Sequence, residues 1–562
     1  MTVFKRLSAL SDDAARILSD GLSRALSDKP FSGAGAARLI VFTAITIGVV
    51  SRLSPLTDFD NRLMWQWMTE DGYLMQTVAR NIAIGNGLST AAGTIPTNGV
   101  QPLATFLFAA LFALVGGSKT GGVALVTGFS AIVAAAAAFL LYRIARRYYA
   151  PMFADSVTPA ATALAAGTAA MWFVAPQITS HSMNGLETGV YYLAILGALG
   201  FYLSFTAMSS PASWPTRLVF GVMLGLVFLA RNDGVFFIAA LLLSHLLLGE
   251  RTKAAMTTRL TDCIAAGVTS IVVASPWLIF NYNLFGTIMP ISGIAESHRA
   301  HLGYNLDALP ANLFEATTLF APIPRALETN PAVMIVAVLA PVAIAVAGWF
   351  AVGRRSLASR RIYMTTIIFT AAIALYYSLF FGAKHFVPRY YSAFSPLMWM
   401  LTVAVGAQLV AATLSNAKTT QIAVTALVAA FTLFGANAAM KRYANGQYHQ
   451  HRQVVDWVET HASEDDWVGA VQTGTLGFFH DRTINLDGKV NPYALEEKLA
   501  KGHVLDYVEA SDIKYLADWS AIAGWVDSDN AAKSFSKTFT VVVRDEKKNL
   551  GVLQRAETGD EK

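Results

Sequence analysis

Five groups of polar residues interrupt an otherwise apolar chain, and these are the places where chemistry can reside. A charge at a bilayer centre costs about 2.5–3.5 kcal/mol on insertion scales, so polar residues within or beside apolar segments are informative. The first group is Asp58, Asp60, Glu70 and Asp71. Adjacent carboxylates can divide labour, one accepting a proton while the other orients or stays ionised. A solvated acidic loop would read the same way. Glu70-Asp71 precede Gly72-Tyr73 and a run through Val78, Ile82 and Ile84, which puts the pair at a helix N-terminus where the dipole favours anions. The second group runs from Gly85 to Pro102. Asn98 and Gln101 there can hydrogen-bond sugar hydroxyls or serve a turn and a cap. The third is Asn184-Gly185-Leu186-Glu187, again with a capping alternative for Glu187. The fourth, Arg231-Asn232-Asp233-Gly234, splits an apolar run and reads either as a solvated hairpin tip or as an Arg–Asp pair beside a cavity. The fifth is Lys384, His385, Arg389, Tyr390 and Tyr391. With His298 and Arg299 it can hold a phosphate or pyrophosphate, because Arg presents a bidentate fork; headgroup contact is the alternative.

The elements that must position these residues are membrane spans. Apolar stretches fall at about 37–54, 102–116, 121–142, 157–176, 188–208, 218–230, 234–248, 262–282, 332–352, 362–381, 392–412 and 420–438. The expected fold class is membrane all-α, a polytopic bundle of about 11–13 helices. Residues 1–36 carry apolar and charged residues at the spacing of an amphipathic segment on the cytoplasmic face. The basic loops at 251–259 and 354–361 are cytoplasmic by charge bias. Counting outward puts loops 283–331 and 382–391, the Arg231 break and the C-terminal tail on the opposite side. Counting back to a cytoplasmic N-terminus fails by one crossing, so one early segment is re-entrant, broken or miscounted. The short 102–116 stretch is the first suspect and the pair split by Arg231 the second. Loop 55–101 carries Trp65 and Trp67, which suit a membrane interface.

Composition supports the split into body and tail. Of 562 residues, 54% are hydrophobic and 14% charged, against about 25% charged in ordinary soluble proteins. Residues 441–562 hold 15 Lys+Arg and 20 Asp+Glu, a net of −5, while residues 1–440 hold 27 and 17, a net of +10. The +5 total is therefore a basic membrane body (37–440) joined to an acidic outer domain (441–562), not a nucleic-acid signal. Tail patterning predicts a small α/β domain, with helices near 450–460, 494–500 and 504–509 and β-rich runs at 467–472, 482–486 and 538–543. The tail has no nucleophile elbow, P-loop or dinucleotide fingerprint. The single Cys263 excludes an internal disulfide and a Cys-based metal site.

Outer carboxylates and outer cations in a multi-span chain point to one reaction class. The cations would hold a lipid phosphate leaving group and a carboxylate would deprotonate an acceptor hydroxyl. A transporter, whose midplane site also uses charges and broken helices, and a non-catalytic scaffold are the alternatives; transport predicts internal repeats, and none is evident.

Several runs resemble bacterial GT-C-fold glycosyltransferases of the arabinofuranosyltransferase and mannosyltransferase type. They are Thr-Glu-Asp-Gly-Tyr…Ala-Arg-Asn-Ile-Ala…Gly-Asn-Gly…Thr-Asn-Gly-Val-Gln-Pro-Leu (69–103), Asn-Gly-Leu-Glu-Thr (184–188), Arg-Asn-Asp-Gly (231–234), Phe-Gly-Thr-Ile-Met-Pro-Ile-Ser-Gly (285–293), Pro-Arg-Tyr-Tyr (388–391) and Gly-Thr-Leu-Gly-Phe-Phe…Asn-Leu-Asp-Gly-Lys-Val-Asn-Pro (474–492). The resemblance implies a polyprenyl-phosphate sugar donor, an envelope glycan or lipid acceptor, and an active site at the outer face of the bacterial cytoplasmic membrane. It implies inversion at the anomeric carbon and an acidic base in the first outer loop, here Asp71 or Glu70, with Asp71 preferred. Many relatives carry Asp-Asp where this chain has Glu-Asp. Arg389 becomes the donor-phosphate residue, supported by His385, Arg299 and Lys384. Asp58, Asp60, Asn98, Gln101, Glu187, Arg231, Asp233 and Tyr390 are substrate-side candidates. A divalent cation (Mg, Mn or Ca) on the paired acids is compatible with the class, without a diagnostic ligand set.

Overall fold

The computed structural model describes residues 33–59, 61–152, 159–207, 211–298, 300–414, 417–444, 451–527 and 534–556. Most of the amphipathic 1–36 segment, together with Asp60 and Arg299, lies outside them.

Each of the twelve apolar stretches forms a helix, among the described residues. Eight helices are long and apolar enough to cross a membrane, and the bent pair Ala161–Val174 and Pro176–Met183 makes a ninth if counted as one span. Pro102–Leu114, Trp214–Ala230 and Gly234–Leu247 are shorter apolar helices. The two suspects for the failed crossing are thus among the short helices. The bend of 59° adds a third irregularity, at Pro176, whose ring cannot continue the helix hydrogen bonds. With no hydrophobic drive between helices in lipid, close packing does the work. Ala, Tyr and Trp fill the bundle interior, including Tyr149, Trp172, Tyr191 and Tyr192, all fully buried. Val272, Ile271 and Leu339 face outward.

The tail folds as a five-stranded mixed sheet. Its strands are β1 (Trp467–Ala470), β2 (Thr483–Asn485), β3 (Ile513–Asp518), β4 (Phe539–Asp545) and β5 (Leu550–Arg555), in the order β2-β1-β3-β5-β4. The first three are parallel, and the β3–β5 and β5–β4 pairs are antiparallel. Helix Arg452–His461 buries Val454, Val455 and Val458 with Val468, Ala517 and Val552. A separate core holds Ile484, Leu486, Val508, Leu516 and Leu553, and it also takes in Ala91 and Ile95 of the first loop.

That shared core is one weld between tail and body. Another is the short helix Gly474–Phe479, which lies on helix Glu70–Ala83. Phe478 sits 4.8 Å from the Tyr73 ring and Phe479 stacks on Trp65 at 5.0 Å. Trp65 and Trp67 are therefore buried in protein, not placed at a lipid interface as the sequence suggested. The tail domain supplies the apolar surface that Trp65 would otherwise seek in the membrane.

Candidate functional site

A cavity of about 510 Å³ opens where the welded tail meets the ends of several helices. Helix Glu70–Ala83 brings Asp71 to it. Thr69 caps this helix by accepting from the Gly72 N–H, and its hydroxyl donates to the Asn184 carbonyl at 3.1 Å. The same turn at Asn184 delivers Glu187, which starts helix Thr188–Phe205 without capping it. Its carboxylate is buried and lines the cavity.

Arg231-Asn232-Asp233 form the break between Trp214–Ala230 and Gly234–Leu247. It is not a solvated tip, since Arg231 is 2% exposed. Its guanidinium binds both oxygens of Asp233, one at 2.9 Å, and Asp233 also accepts from the Tyr377 hydroxyl at 2.9 Å. Arg231 lies between the rings of Tyr191 and Tyr390, at 4.6 and 5.0 Å. Tyr390 in turn stacks flat on Tyr377, centroids 4.0 Å apart. A buried pair of this kind holds together only when its remaining polar atoms are bonded, as here on the carboxylate side.

Arg389 comes from the short helix Val387–Tyr391 and binds Asp71 through Nη1 at 3.2 Å. Lys489, from the loop after β2, reaches in from the tail and binds Glu296 at 2.7 Å. Gln101, Tyr376, Tyr377 and Phe386 complete the polar and aromatic wall.

Of the sequence candidates, Asp71, Gln101, Glu187, Arg231, Asp233, Arg389 and Tyr390 thus share one cavity. Others do not line it. The Glu70 carboxylate accepts from the Gly474 and Thr475 N–H groups and from the Thr475 hydroxyl, with His451 at 3.4 Å. Burial pushes the Glu70 carboxyl up to about 7 despite those donors, and the Asp71 charge adds to the rise. Asn98 accepts from the Ile291 N–H at 3.0 Å and so anchors helix Ile291–Ser297. Asp58 accepts from the Asn61 N–H in a turn. Lys384 pairs with Asp307 at the surface, and His385 lies against Phe386. Lys489, Glu296 and Tyr377 escaped the sequence reading. Lys489 stands inside the quoted tail motif, so its charge beside Asp487-Gly488 was the available signal; Tyr377 has none, being one aromatic in an apolar helix.

The lining acids do not fit a divalent-ion site of three ligands. Asp71, Asp233 and Glu296 each already face a cation, which leaves Glu187 alone. Among the described residues, the one grouping at metal-ligand spacing is Glu497, His503 and Asp506 in the tail. Lys501 already bridges its two carboxylates.

Residues 438–550 match a family model described as a domain of unknown function, DUF8728. No curated protein matches the sequence. Among solved structures, the chain is similar to ArnT from Cupriavidus metallidurans bound to undecaprenyl phosphate, at 13% identity and a TM-score of 0.56, over 92% of this chain and 98% of that one. It is also similar to the archaeal oligosaccharyltransferase AglB from Archaeoglobus fulgidus, in complex with an inhibitory peptide and a dolichol-phosphate. There the identity is 11% and the TM-score 0.51, over 89% and 72% of the two chains. At these identities the likeness shows the fold, a multi-pass GT-C-like helical bundle carrying a C-terminal α/β domain.

Proposed function

We propose that this chain is a membrane glycosyltransferase that moves a single sugar, arabinofuranose, mannose or a similar one, from a polyprenyl-phosphate donor to a hydroxyl of an envelope glycan or lipid. The observation that carries the reading is the cavity pairing of Asp71 with Arg389 at 3.2 Å, one carboxylate and one guanidinium at the welded end of the bundle. The undecaprenyl phosphate and dolichol-phosphate in the two similar structures support a lipid-phosphate donor.

In this reading Asp71 accepts the acceptor hydroxyl's proton as that oxygen attacks the anomeric carbon. The bond from that carbon to the phosphate oxygen breaks in the same displacement, which inverts the centre. The electron pair leaves with the polyprenyl phosphate, and Arg389 holds the charge. One guanidinium carries five N–H donors, so Arg389 can engage phosphate without releasing Asp71. Arg231, fixed by Asp233 and two tyrosine rings, supplies a rigid polar wall. Body 37–440 is the catalytic unit, and 441–562 is an outer domain on the extracytoplasmic face of a bacterial cytoplasmic membrane.

Purified protein with a radiolabelled polyprenyl-phosphate sugar and an envelope acceptor tests this. Asp71→Asn should lower turnover per folded molecule by about 10²–10⁴-fold. Full activity in Asp71→Asn would overturn the base assignment. Lipid-linked sugar crossing vesicles without donor consumption would replace the reading with transport.

A further inference from the structure

Resting on that reading, we propose that Lys489 of the C-terminal domain is a second ligand for the donor's phosphate, so that the tail completes the active site and does not merely cover it. Nothing about a remote sheet domain requires it to place a cation among Asp71, Arg389 and Glu296, yet Lys489 lines the same cavity as all three.

Its position is built, not accidental. The loop after β2 is tied by three local bonds. Gly488 N–H donates to Asn485 Oδ1 at 3.0 Å, Lys489 N–H to Asp487 Oδ1 at 2.8 Å, and Asn491 Nδ2 to the Asn485 carbonyl at 2.7 Å. Val490, the next residue, is fully buried. Gly99 of the first loop presses on this turn so closely that a Cβ there would lie 2.0 Å from the Lys489 carbonyl oxygen. The backbone of the tail is thereby held against the loop that leads to Gln101.

The side chain then extends over Phe386, with Nζ 5.0 Å from the ring centroid. Arg389 stands 4.9 Å from the same ring. One aromatic residue thus carries both cations, and their charges face one cavity. An ammonium has three donors. One goes to Glu296 at 2.7 Å, and Asp487 at 3.7 Å is too far for a hydrogen bond. Donor capacity therefore remains for a phosphate oxygen with the Glu296 pair intact. Burial alone would weaken the charge on Lys489, but Asp487, Asp71 and Glu296 outweigh it and keep the ammonium protonated.

The test uses the full chain in detergent, with sugar-free polyprenyl monophosphate as the probe. Lys489→Met keeps the length and the contact with Phe386. It should weaken lipid-phosphate binding about 10- to 100-fold, the value of a charge-assisted hydrogen bond, and raise the donor KM more than it lowers kcat. Lys489→Arg should restore most of the affinity. Glu296→Gln should tighten binding, because it removes a competing carboxylate while leaving the ammonium in place. Wild-type affinity in a normally folded Lys489→Met would overturn the role of Lys489 and leave the Asp71/Arg389 reading standing. Equal weakening by Glu296→Gln and Lys489→Met would also overturn it, since the ammonium would then only tie helix Ile291–Ser297 to the tail. A wild-type chain that neither binds the lipid phosphate nor transfers sugar would overturn both.

Discussion

Substituting Glu70 should damage the fold before it touches the chemistry, the reverse of substituting its neighbour. The Glu70 carboxylate is the acceptor for three donors of the tail helix: the N–H of Gly474, and the N–H and hydroxyl of Thr475. In Glu70→Gln the amide oxygen can keep the two Thr475 bonds, but its NH₂ then points at the Gly474 N–H. One buried backbone donor is left without a partner, at a cost of about 1–3 kcal/mol. Glu70→Ala orphans all three donors and should cost more, although the terms are not additive. The loss falls on the contact of Phe478 and Phe479 with Tyr73 and Trp65, which holds the tail to the bundle. The melting midpoint in detergent should therefore rank wild type above Gln above Ala, and limited proteolysis should release the tail in the reverse order, fastest in Ala. Turnover per folded molecule at saturating substrate should fall far less in Glu70→Gln than in Asp71→Asn. The reasoning is refuted if Glu70→Gln melts like wild type yet loses turnover as Asp71→Asn does, for Glu70 would then be the base.

The same carboxyl gives a pH signature. It holds its proton more tightly folded, at about 7, than unfolded, near 4.5, so its contribution to stability is complete at low pH and is lost as pH rises between those values. The wild-type midpoint should accordingly gain on that of Glu70→Gln as pH falls from about 7 to 5; a constant difference would contradict it. Arg389→Lys replaces a planar fork by a point charge and should raise the donor KM by about tenfold or more, read in the same transfer assay. Asp233→Ala leaves Arg231 buried without its carboxylate and should cost about 3–5 kcal/mol, seen as a lower midpoint or a loss of folded protein. Gly474→Ala puts a Cβ 1.8 Å from the Glu70 carbonyl, so the tail helix must lift and the chain should lose about 1–3 kcal/mol with faster proteolysis of the tail.

The sequence by itself determined the helical body, because a bilayer leaves an apolar segment no option but to satisfy its backbone internally. All twelve apolar stretches became helices, and the five-stranded sheet lies within the charge-rich segment after residue 440. It also exposed most of the cavity's charged residues. Asp71, Glu187, Arg231, Asp233 and Arg389 stand out because charge beside an apolar run is costly and needs a reason. The sequence could not separate neighbours with the same chemistry. Glu70 and Asp71 are adjacent carboxylates at one helix start, and a rotation of about 100° per residue sends one to the tail and the other to the cavity. Asn98 and Gln101 divide in the same way, one anchoring a loop helix and the other lining the cavity. Only the tertiary structure decided which residues meet across long stretches of chain. Lys489 meets Glu296, and Gly474 meets Glu70, because two domains are pressed together at glycines that leave no room for a side chain. Contacts between distant segments depend on how whole surfaces dock, and no local pattern of residues encodes that.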